Sequence, residues 1–560
     1  MQKKLLILLA IIIFGGCFFY VSKYIKKRYF TGYDVESGIF KRDNEPILGV
    51  YSLNEEITQQ EATAIEHYVL VLNNIDDWNI NLQSLQSIPP NQPLLLTIEI
   101  WEASILNKIA AGEYDKGLKK LLSKLRETHG NIYLRWQPEM EVPNTKLPWA
   151  NRGPVYSEAF NKFAEISEEV FPEARLTWGP AGYAGNMGSF PDPLYVEAST
   201  ITLNSDSEEN VQIYKHNTIK EQLQRKLHRM RFVEAPVFIL GSRNMDVSEF
   251  NSEWLEEAAE KLQKDKKDIN FRNIVKNTTN QNYRENEPII GLYDYNELLV
   301  NEEAVSVEHL FINFEQIEEG SFKNSINKVY ARNHDVIITV EPIKQDTTIL
   351  KDLVAGKHDL ILQKLYDFIS KTNRTIYLRF AHEMEIPIER YPWQSRDPAE
   401  YIRAFRYFMQ FPDKEMTQIR KVWGPAGDRG SIEWWPGDDV VDIVSLAIYG
   451  LPDKNITDPK AQESFSTIYN RKNWRIRFLQ KPIFITEFGV KGPEEFQENW
   501  LLEAAEVINS HREIMGVNYF NMTDVPKAWG DIKPPDWSIT KKTFTRYVNA
   551  LSLKQKPAEI

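Results

Sequence analysis

The second half of the chain alternates short apolar runs with longer amphipathic stretches. The short runs are rich in β-branched and aromatic residues, which predicts strands at Val336–Val340, Ile376–Phe380, Lys421–Trp423, Ile443–Ile448, Ile483–Thr486 and Gly516–Phe520. Between them, apolar residues recur every three or four positions, which predicts helices at Leu360–Ser370, Ala399–Gln410 and Glu495–Ser510. Strands that alternate with helices over this length favour a parallel sheet closed as a (β/α)8 barrel.

The first half of the chain repeats the second. Glu45–Gly49 recurs as Glu287–Gly291, and Trp178–Gly182 recurs as Trp423–Gly427, at offsets of 242 and 245 residues (287 − 45 and 423 − 178). Matches that keep their order and nearly their spacing predict a duplicated domain rather than a short solenoid repeat.

The predicted fold is α/β, with two tandem TIM-type (β/α)8 barrels after an N-terminal membrane-anchor helix. A chain of 560 residues has room for two such barrels. The predicted boundaries are 1–30 for the anchor or signal, 44–275 for a degenerate barrel, 276–285 for an Asn- and Thr-rich linker, and 286–552 for a catalytic barrel.

The N-terminal segment predicts attachment to a membrane. Leu5 to Val21 is an uncharged apolar run that follows Lys3 and Lys4. Either it is an uncleaved signal anchor, or the chain is a lipoprotein that carries its lipid on Cys17. Positive charge flanks both ends of the run, so charge does not fix its orientation. An extracytoplasmic location, periplasmic or at the cell surface, is expected from the enzymatic interpretation given below.

Composition excludes several classes of function. The net charge is −12 and no long basic stripe follows the first 30 residues, which argues against nucleic acid as a partner. One cysteine cannot form a disulfide framework or a thiolate cluster within the chain. The nine histidines are scattered without metal-ligand spacing, so neither a metal nor a cofactor is expected.

Two glutamates follow predicted strands of the second repeat. Glu383 comes shortly after Ile376–Phe380, and Glu487 comes directly after Ile483–Thr486. A carboxylate next to a buried strand costs folding free energy, so it is expected only where it has a partner or a function. Retaining glycosidases use two carboxyl groups about 5–5.5 Å apart, one as the acid and one as the nucleophile. Because catalytic groups of a barrel lie at the C-terminal ends of its strands, the two glutamates are candidates for this pair.

Residues 286–552 resemble glycoside hydrolase family 26, a family of clan A barrels that includes β-mannanases and mixed-linkage β-glucanases. Ile376–Met384 is similar to the family's acid/base strand, in which a His-Glu pair precedes an aromatic-Pro-Trp, here Tyr391–Trp393. Ile485–Gly489 is similar to the nucleophile strand. Further matches in the same order are Trp435–Asp442, Tyr449, Tyr519–Asn521 and Asp536–Trp537.

The resemblance implies roles for five residues. Glu383 is the implied acid/base and Glu487 the implied nucleophile. His382 is expected to position and tune Glu383, Tyr449 to donate a hydrogen bond to Glu487, and Arg379 to support the same site. This division suits the chemistry, because a general acid needs a raised pKa whereas a nucleophile needs donors that keep it ionised.

Three tryptophans are candidates for stacking on substrate sugars: Trp423, Trp393 and Trp537. Simple packing in the core or at the rim is the competing interpretation for each. Mannan-cleaving members usually place Asn-Gly shortly after the His-Glu pair, whereas this chain reads Glu385–Pro387. That region shapes the substrate cleft, so the sequence does not identify the sugar of the substrate.

The first repeat predicts a barrel without its nucleophile. It keeps Glu139 at the acid/base position but has Pro138, Asn204 and Gly241 where the second repeat has the histidine, the tyrosine and the nucleophile. Glycine has no carboxylate, so a covalent glycosyl intermediate cannot form there. The first repeat is either a glycan-binding site or a structural partner. Its candidate sugar contacts are Trp136, Trp149 and Trp178.

The leading hypothesis is a retaining endo-β-glycosidase that hydrolyses a β-mannan, a β-glucan or an exopolysaccharide by double displacement. The alternative is a non-catalytic glycan-binding or assembly component of exopolysaccharide export. Expected partners are the β-linked polysaccharide, the membrane and polysaccharide synthesis or export machinery. Hydrolysis and transglycosylation share one intermediate, so the sequence does not separate them, and endo and exo action likewise stay open.

Overall fold

The structure is a computed structural model that describes most of the chain between Ile39 and Ser552. The described residues are 39–41, 46–52, 64–72, 75, 82–86, 88–143, 146–204, 218–242, 253–268, 284–342, 347–387, 390–451, 463–526 and 533–552. The predicted anchor at 1–30 and residues 276–283 of the predicted linker lie outside them. No helix in these ranges is long and apolar enough to cross a bilayer.

The chain divides into two compact units, the first made mainly of residues before Glu260 and the second mainly of residues from Glu260 onward. The strands of the first unit are β1 (Ile39–Lys41), β2 (Ile47–Tyr51), β3 (Glu66–Leu72), β4 (Leu94–Ile100), β5 (Ile132–Trp136), β6 (Arg175–Trp178), β7 (Ala198–Leu203) and β8 (Val237–Gly241). Its helices are α1 (Gln83–Gln86), α2 (Ile105–Ala110), α3 (Asp115–Thr128), α4 (Gly153–Val170), α5 (Ile219–Arg229) and α6 (Glu253–Asp268).

The first unit does not form the closed barrel that its sequence predicts. Strands β3 to β8 pair in order and in parallel, as in a TIM barrel. The sheet then ends on two antiparallel neighbours, because β1 pairs with β3 and β2 pairs with β8. In the described residues this unit is therefore a curled eight-stranded sheet that is consistent with a TIM-type α/β fold but does not show the closure of the predicted (β/α)8 barrel.

The second unit is a closed barrel of eight parallel strands. Its strands are β9 (Ile289–Tyr293), β10 (Val307–Asn313), β11 (Asp335–Glu341), β12 (Ile376–Phe380), β13 (Ile419–Trp423), β14 (Ile443–Gly450), β15 (Ile483–Val490) and β16 (Ile514–Phe520). Its helices are α7 (Phe314–Glu319), α8 (Phe322–Ala331), α9 (Ile349–Val354), α10 (Asp359–Ile369), α11 (Pro398–Gln410), α12 (Phe465–Ile476), α13 (Glu494–Ser510) and α14 (Lys541–Leu551). The predicted (β/α)8 barrel is confirmed for this unit.

The interior of the second barrel is layered, because inward-facing side chains recur at every second position of a strand. The floor is an apolar cluster of Val307, Ile337, Tyr377, Val422, Ile443 and Phe484. Two residues further along their strands, the inward positions become polar. There His309 Nε2 lies 2.7 Å from Thr339 Oγ1, and Asn518 Nδ2 lies 3.3 Å from His309 Nδ1. Above the apolar floor, the barrel therefore carries a polar layer that leads to the C-terminal ends of the strands.

Candidate active site

A buried ion pair joins two strands on opposite sides of the barrel. Arg379 on β12 donates from Nη1 to Oε1 of Glu487 on β15 at 2.6 Å. The arginine side chain is 0% exposed and the glutamate side chain 9%. Buried charges of this kind are tolerated only where each meets its partner with good geometry. The Tyr449 hydroxyl on β14 lies 3.3 Å from Oε2, so both oxygens of Glu487 have a donor.

Glu487 lies inside its strand rather than after it. The sequence predicts that the strand ends at Thr486, but β15 continues to Val490. Its pairing is irregular around the glutamate, with register shifts against β14 between Leu446 and Ala447 and against β16 between Ile485 and Phe488. Such bulges re-aim side chains. They allow Glu487 to face the barrel axis next to Arg379.

Glu383 lies on the loop after β12 in a conformation that non-glycine residues rarely adopt. Its φ is 54°, and that of Ala381 is 43°. Left-handed residues cost about 1–3 kcal/mol each and persist only where the surroundings hold them. Here the Glu383 amide donates to the Gly424 carbonyl at 2.8 Å, and Gln394 Nε2 donates to the Glu383 carbonyl at 3.1 Å. The loop is thus fixed with the side chain of Glu383 partly exposed.

The surroundings of Glu383 favour a protonated carboxyl. Its pKa is raised from an ordinary value of 4.5 to about 8, mainly by desolvation and then by the charge of Glu487, while Arg379 opposes the rise. The influence of Glu487 on this pKa is electrostatic, which places the two carboxyl groups within range of each other's charge. A carboxyl that holds its proton at neutral pH can serve as a general acid.

Glycine at position 424 leaves room for the buried arginine. A Cβ built there would overlap the Arg379 side chain. The same relation holds in the first unit, where a Cβ on Gly179 would lie 2.8 Å from Arg135 Cγ. In the Trp-Gly-Pro-Ala-Gly motif of both repeats, the first glycine is therefore needed because a Cβ there would overlap the buried arginine.

The contacts of His382 in the described residues are with aromatic rings, and its predicted role in positioning Glu383 stays a prediction. Its ring packs between Phe311 and Tyr391, at centroid distances of 5.6 and 5.2 Å, and its carbonyl accepts from Trp393 Nε1 at 2.8 Å. Burial, and then the charge of Arg379, lower its pKa well below 6.5, so the ring is neutral. Within the described residues its Nδ1 has no hydrogen-bond partner.

The three candidate sugar-stacking tryptophans have no accessible face. Trp393, Trp423 and Trp537 are each less than 2% exposed. Trp423 packs edge-on against Trp435 at 5.1 Å, and Trp537 packs against Tyr449 at 4.6 Å. This packing disagrees with the prediction that they contact substrate directly and agrees with the competing one. Trp136, Trp149 and Trp178 of the first unit are equally buried.

Glu385 is a structural residue that the sequence did not reveal as one. Its Oε1 accepts from the amides of Gly427 and Asp428 at 3.0 and 3.1 Å and from Ser431 Oγ at 2.8 Å. It thereby joins the loop after β12, which carries Glu383, to the loop after β13. Glu141 accepts from the Gly182 and Tyr183 amides at 2.9 Å in the same way in the first unit.

The first unit keeps the arginine of the site but not the carboxylate that pairs with it in the second unit. Arg135 is buried and donates to two threonine hydroxyls of β7, Thr200 at 3.0 Å and Thr202 at 3.3 Å. Gly241 stands at the end of β8, at the position equivalent to Glu487. Two hydroxyl oxygens therefore accept from this guanidinium, and the carboxylate equivalent to Glu487 is replaced by a glycine.

The sequence does not predict other residues of the site, because only the folded structure brings them next to Glu383. The side-chain amide of Gln394 and the carbonyl of Gly424 hold the backbone of Glu383, and no local sequence pattern predicts these contacts. The rings of Tyr293 and Phe311 could have been found from their alternation with Gly291 and His309 along β9 and β10. Within the described part of the chain no group of three or more metal-binding side chains occurs.

Comparison with known proteins relates the chain to glycoside hydrolases. It is 27% identical over 217 residues to a β-1,3-xylanase of a Vibrio species, covering 36% of this chain and 41% of that one. It is 24% identical over 248 residues to endoglucanase H of Acetivibrio thermocellus, covering 42% of this chain and 26% of that one. The chain thus spans less than half the length of these curated relatives. No family model matches it.

Solved structures with a similar arrangement include the catalytic domain of a Bacillus sp. JAMB-750 GH26 endo-β-1,4-mannanase. The identity is 12%, the alignment covers 47% of this chain and 85% of that one, and the TM-score is 0.34. For a Bacillus subtilis mannanase the identity is 15%, the coverage 43% and 81%, and the TM-score 0.30.

Proposed function

We propose that the second unit is a retaining endo-β-glycosidase related to family 26, which hydrolyses a β-linked polysaccharide. One observation carries the proposal: at the C-terminal end of a parallel barrel, Glu487 is held by Arg379 and Tyr449 and neighbours a second carboxyl, Glu383, that keeps its proton. An endoglucanase and a β-1,3-xylanase among the relatives support the reaction class. The sugar is proposed only as a β-linked mannose, glucose or xylose chain.

In the proposed reaction each carboxyl acts twice. Glu383 donates its proton to the glycosidic oxygen while the Glu487 carboxylate attacks the anomeric carbon, so that the C–O bond breaks and a glycosyl ester forms. Glu383, now ionised, takes a proton from water, and the resulting hydroxide displaces Glu487. Arg379 and Tyr449 hold the two Glu487 oxygens throughout. An alcohol in place of water would give transglycosylation by the same route.

The proposal is tested with the full chain on a panel of β-1,4-mannan, mixed-linkage β-glucan and β-1,3-xylan. We expect one of them to yield new reducing ends and a series of oligosaccharides, as an endo-acting enzyme gives. Glu383→Gln is expected to lower this rate by about 10²–10⁴, the usual contribution of general acid–base catalysis. Equal rates for the two proteins would remove Glu383 from the mechanism.

The pH profile tests the protonation state of Glu383. Because the folded pKa is about 8, the acid form prevails below pH 8 and kcat/KM on the polysaccharide should fall tenfold per pH unit above it. An aryl β-glycoside with a dinitrophenolate leaving group needs no proton, so its kcat/KM should stay level there. The unfolded carboxyl ionises near 4.5, so this group's contribution to stability also falls between pH 4.5 and 8. A matching alkaline fall for both substrates would contradict the assignment.

We also propose that the first unit does not hydrolyse glycans, because Gly241 offers no carboxylate, and that it arose with the second by duplication. The matching approach of a glycine to the buried arginine in both units, and the matching contacts of Glu141 and Glu385, support a shared origin. The apolar run Leu5 to Val21 supports a proposal of membrane attachment with both units outside the cytoplasm.

A further inference from the structure

The upper layer of the second barrel is aromatic. Four rings lie at or near the C-terminal ends of β9, β10, β14 and β16: Tyr293, Phe311, Tyr449 and Phe520. Phe311 and Phe520 lie two positions beyond His309 and Asn518 of the polar layer. Tyr293 stacks on Phe520 at 4.4 Å with an interplanar angle of 18°, and Phe311 meets Tyr293 edge-on at 5.4 Å. We call these four residues the aromatic arc.

The arc connects the two halves of the proposed catalytic pair. At one end Tyr449, 6.2 Å from Phe520, lies 3.3 Å from Glu487 Oε2. At the other end Phe311 lies 5.6 Å from the ring of His382, the residue before Glu383. Tyr293, Phe311 and Tyr449 are only partly buried. These half-buried rings therefore differ from the three candidate sugar-stacking tryptophans, whose ring faces are covered by neighbouring residues.

We infer that the aromatic arc is the surface on which the glycone sugars of the substrate lie. Tyr449 and Phe520 lie on the two strands that pair with the strand of Glu487, so a sugar whose anomeric carbon reaches Glu487 would lie beside the arc. One face of a neutral pyranose presents C–H groups, and such faces stack on aromatic rings. The inference rests on the proposed function and adds to it the part of the site that holds the substrate.

A carboxylate in the same layer suits the hydroxyl groups of such a sugar. Glu341 is the last residue of β11, next to Phe311's strand, and faces inward like Thr339 two positions before it. Its charge adds to burial in raising the pKa of Tyr293. A sugar on the arc would thus have aromatic rings against its C–H face and a carboxylate acceptor for its hydroxyls.

The described residues of the first unit do not repeat the arc. Val69 occupies the position equivalent to Phe311, and Tyr51, equivalent to Tyr293, is 3% exposed. On this criterion glycan binding belongs to the second unit, and the buried tryptophans of the first do not replace the arc.

Binding measured without turnover tests the inference. We use calorimetry on the full chain in a Glu487→Gln background, with β-1,4-mannohexaose, cellohexaose and β-1,3-xylohexaose as probes. Phe311→Leu keeps the apolar volume but removes the flat face, and should weaken the best-bound probe about tenfold. Leu360→Ala, at a position 81% exposed on α10, is the control and should change nothing. Tyr293→Leu serves as a second variant, and thermal melts verify folding of each.

The outcomes separate the arc from the catalytic proposal. Equal affinity of Phe311→Leu, Tyr293→Leu and the control overturns the arc, even if the wild type cleaves a glycan. Failure of all three probes to bind overturns it as well. Weakened binding by the arc variants supports the arc, and if the wild type then cleaves nothing, only the hydrolytic proposal fails.

Discussion

Replacing Glu487 with alanine is expected to lower kcat/KM on the cleaved glycan by at least about a thousandfold, because the covalent intermediate can no longer form. The variant also leaves the guanidinium of Arg379 buried without its charge partner. Loss of turnover could then reflect disturbed packing. The measurement is therefore the rate of reducing-end release, taken together with a thermal melt.

Glu487→Gln is the matched control for that disturbance. It keeps the shape of the side chain and an oxygen that can accept from Arg379, but it is a poor nucleophile. We expect it to melt closer to the wild type than Glu487→Ala does and to be equally inactive. Near-normal turnover in a folded Glu487→Gln protein would rule out this residue as the nucleophile.

Replacing Arg379 with methionine is expected to cost about 3–5 kcal/mol of the free energy of unfolding of the second unit, the usual result of breaking a buried ion pair from one side. The pair is fully enclosed, with a 2.6 Å contact. Activity should fall too, because Glu487 loses the donor that orients it. Urea unfolding at pH 7 measures the stability change.

Two controls make that result specific. Arg379→Met combined with Glu487→Leu removes both charges and should recover most of the lost stability, since apolar replacement of a whole buried pair is often neutral. Arg406→Met breaks a two-contact pair with Asp439 whose acid is 49% exposed, and should cost less than about 1 kcal/mol. Equal losses for Arg379→Met and Arg406→Met would contradict the importance of the buried pair.

The local spacing of apolar residues is sufficient to predict strands and helices of the second unit. Strand β12 occupies the predicted Ile376–Phe380, and α13 (Glu494–Ser510) begins one residue before its prediction. The predicted strand is shorter than β15, because the apolar run ends at the first charged residue whereas the strand continues to Val490. A buried counterion such as Arg379 is what allows a glutamate to stand within a strand, and it lies 108 positions away in sequence.

Closure of the first sheet could not be read from the same pattern. Strands β3 to β8 have the predicted parallel order, but the ends of the sheet depend on which short segment pairs beside β3 and β8. Hydrophobic patterning does not distinguish parallel from antiparallel neighbours at an edge. Likewise, the aromatic content of the chain does not show which aromatic residues are buried. Trp423 is fully buried, whereas Phe311 is only partly buried.

The central claim is that Glu487 attacks the anomeric carbon, and sodium azide added to the Glu487→Ala protein tests it most directly. The substrate is the 2,4-dinitrophenyl β-disaccharide of whichever glycan the wild type cleaves. Azide fills the space left by the carboxylate and attacks from the same face, so the account predicts restored turnover and an α-glycosyl azide by NMR. No rescue in a folded protein, or a β-glycosyl azide, would contradict it.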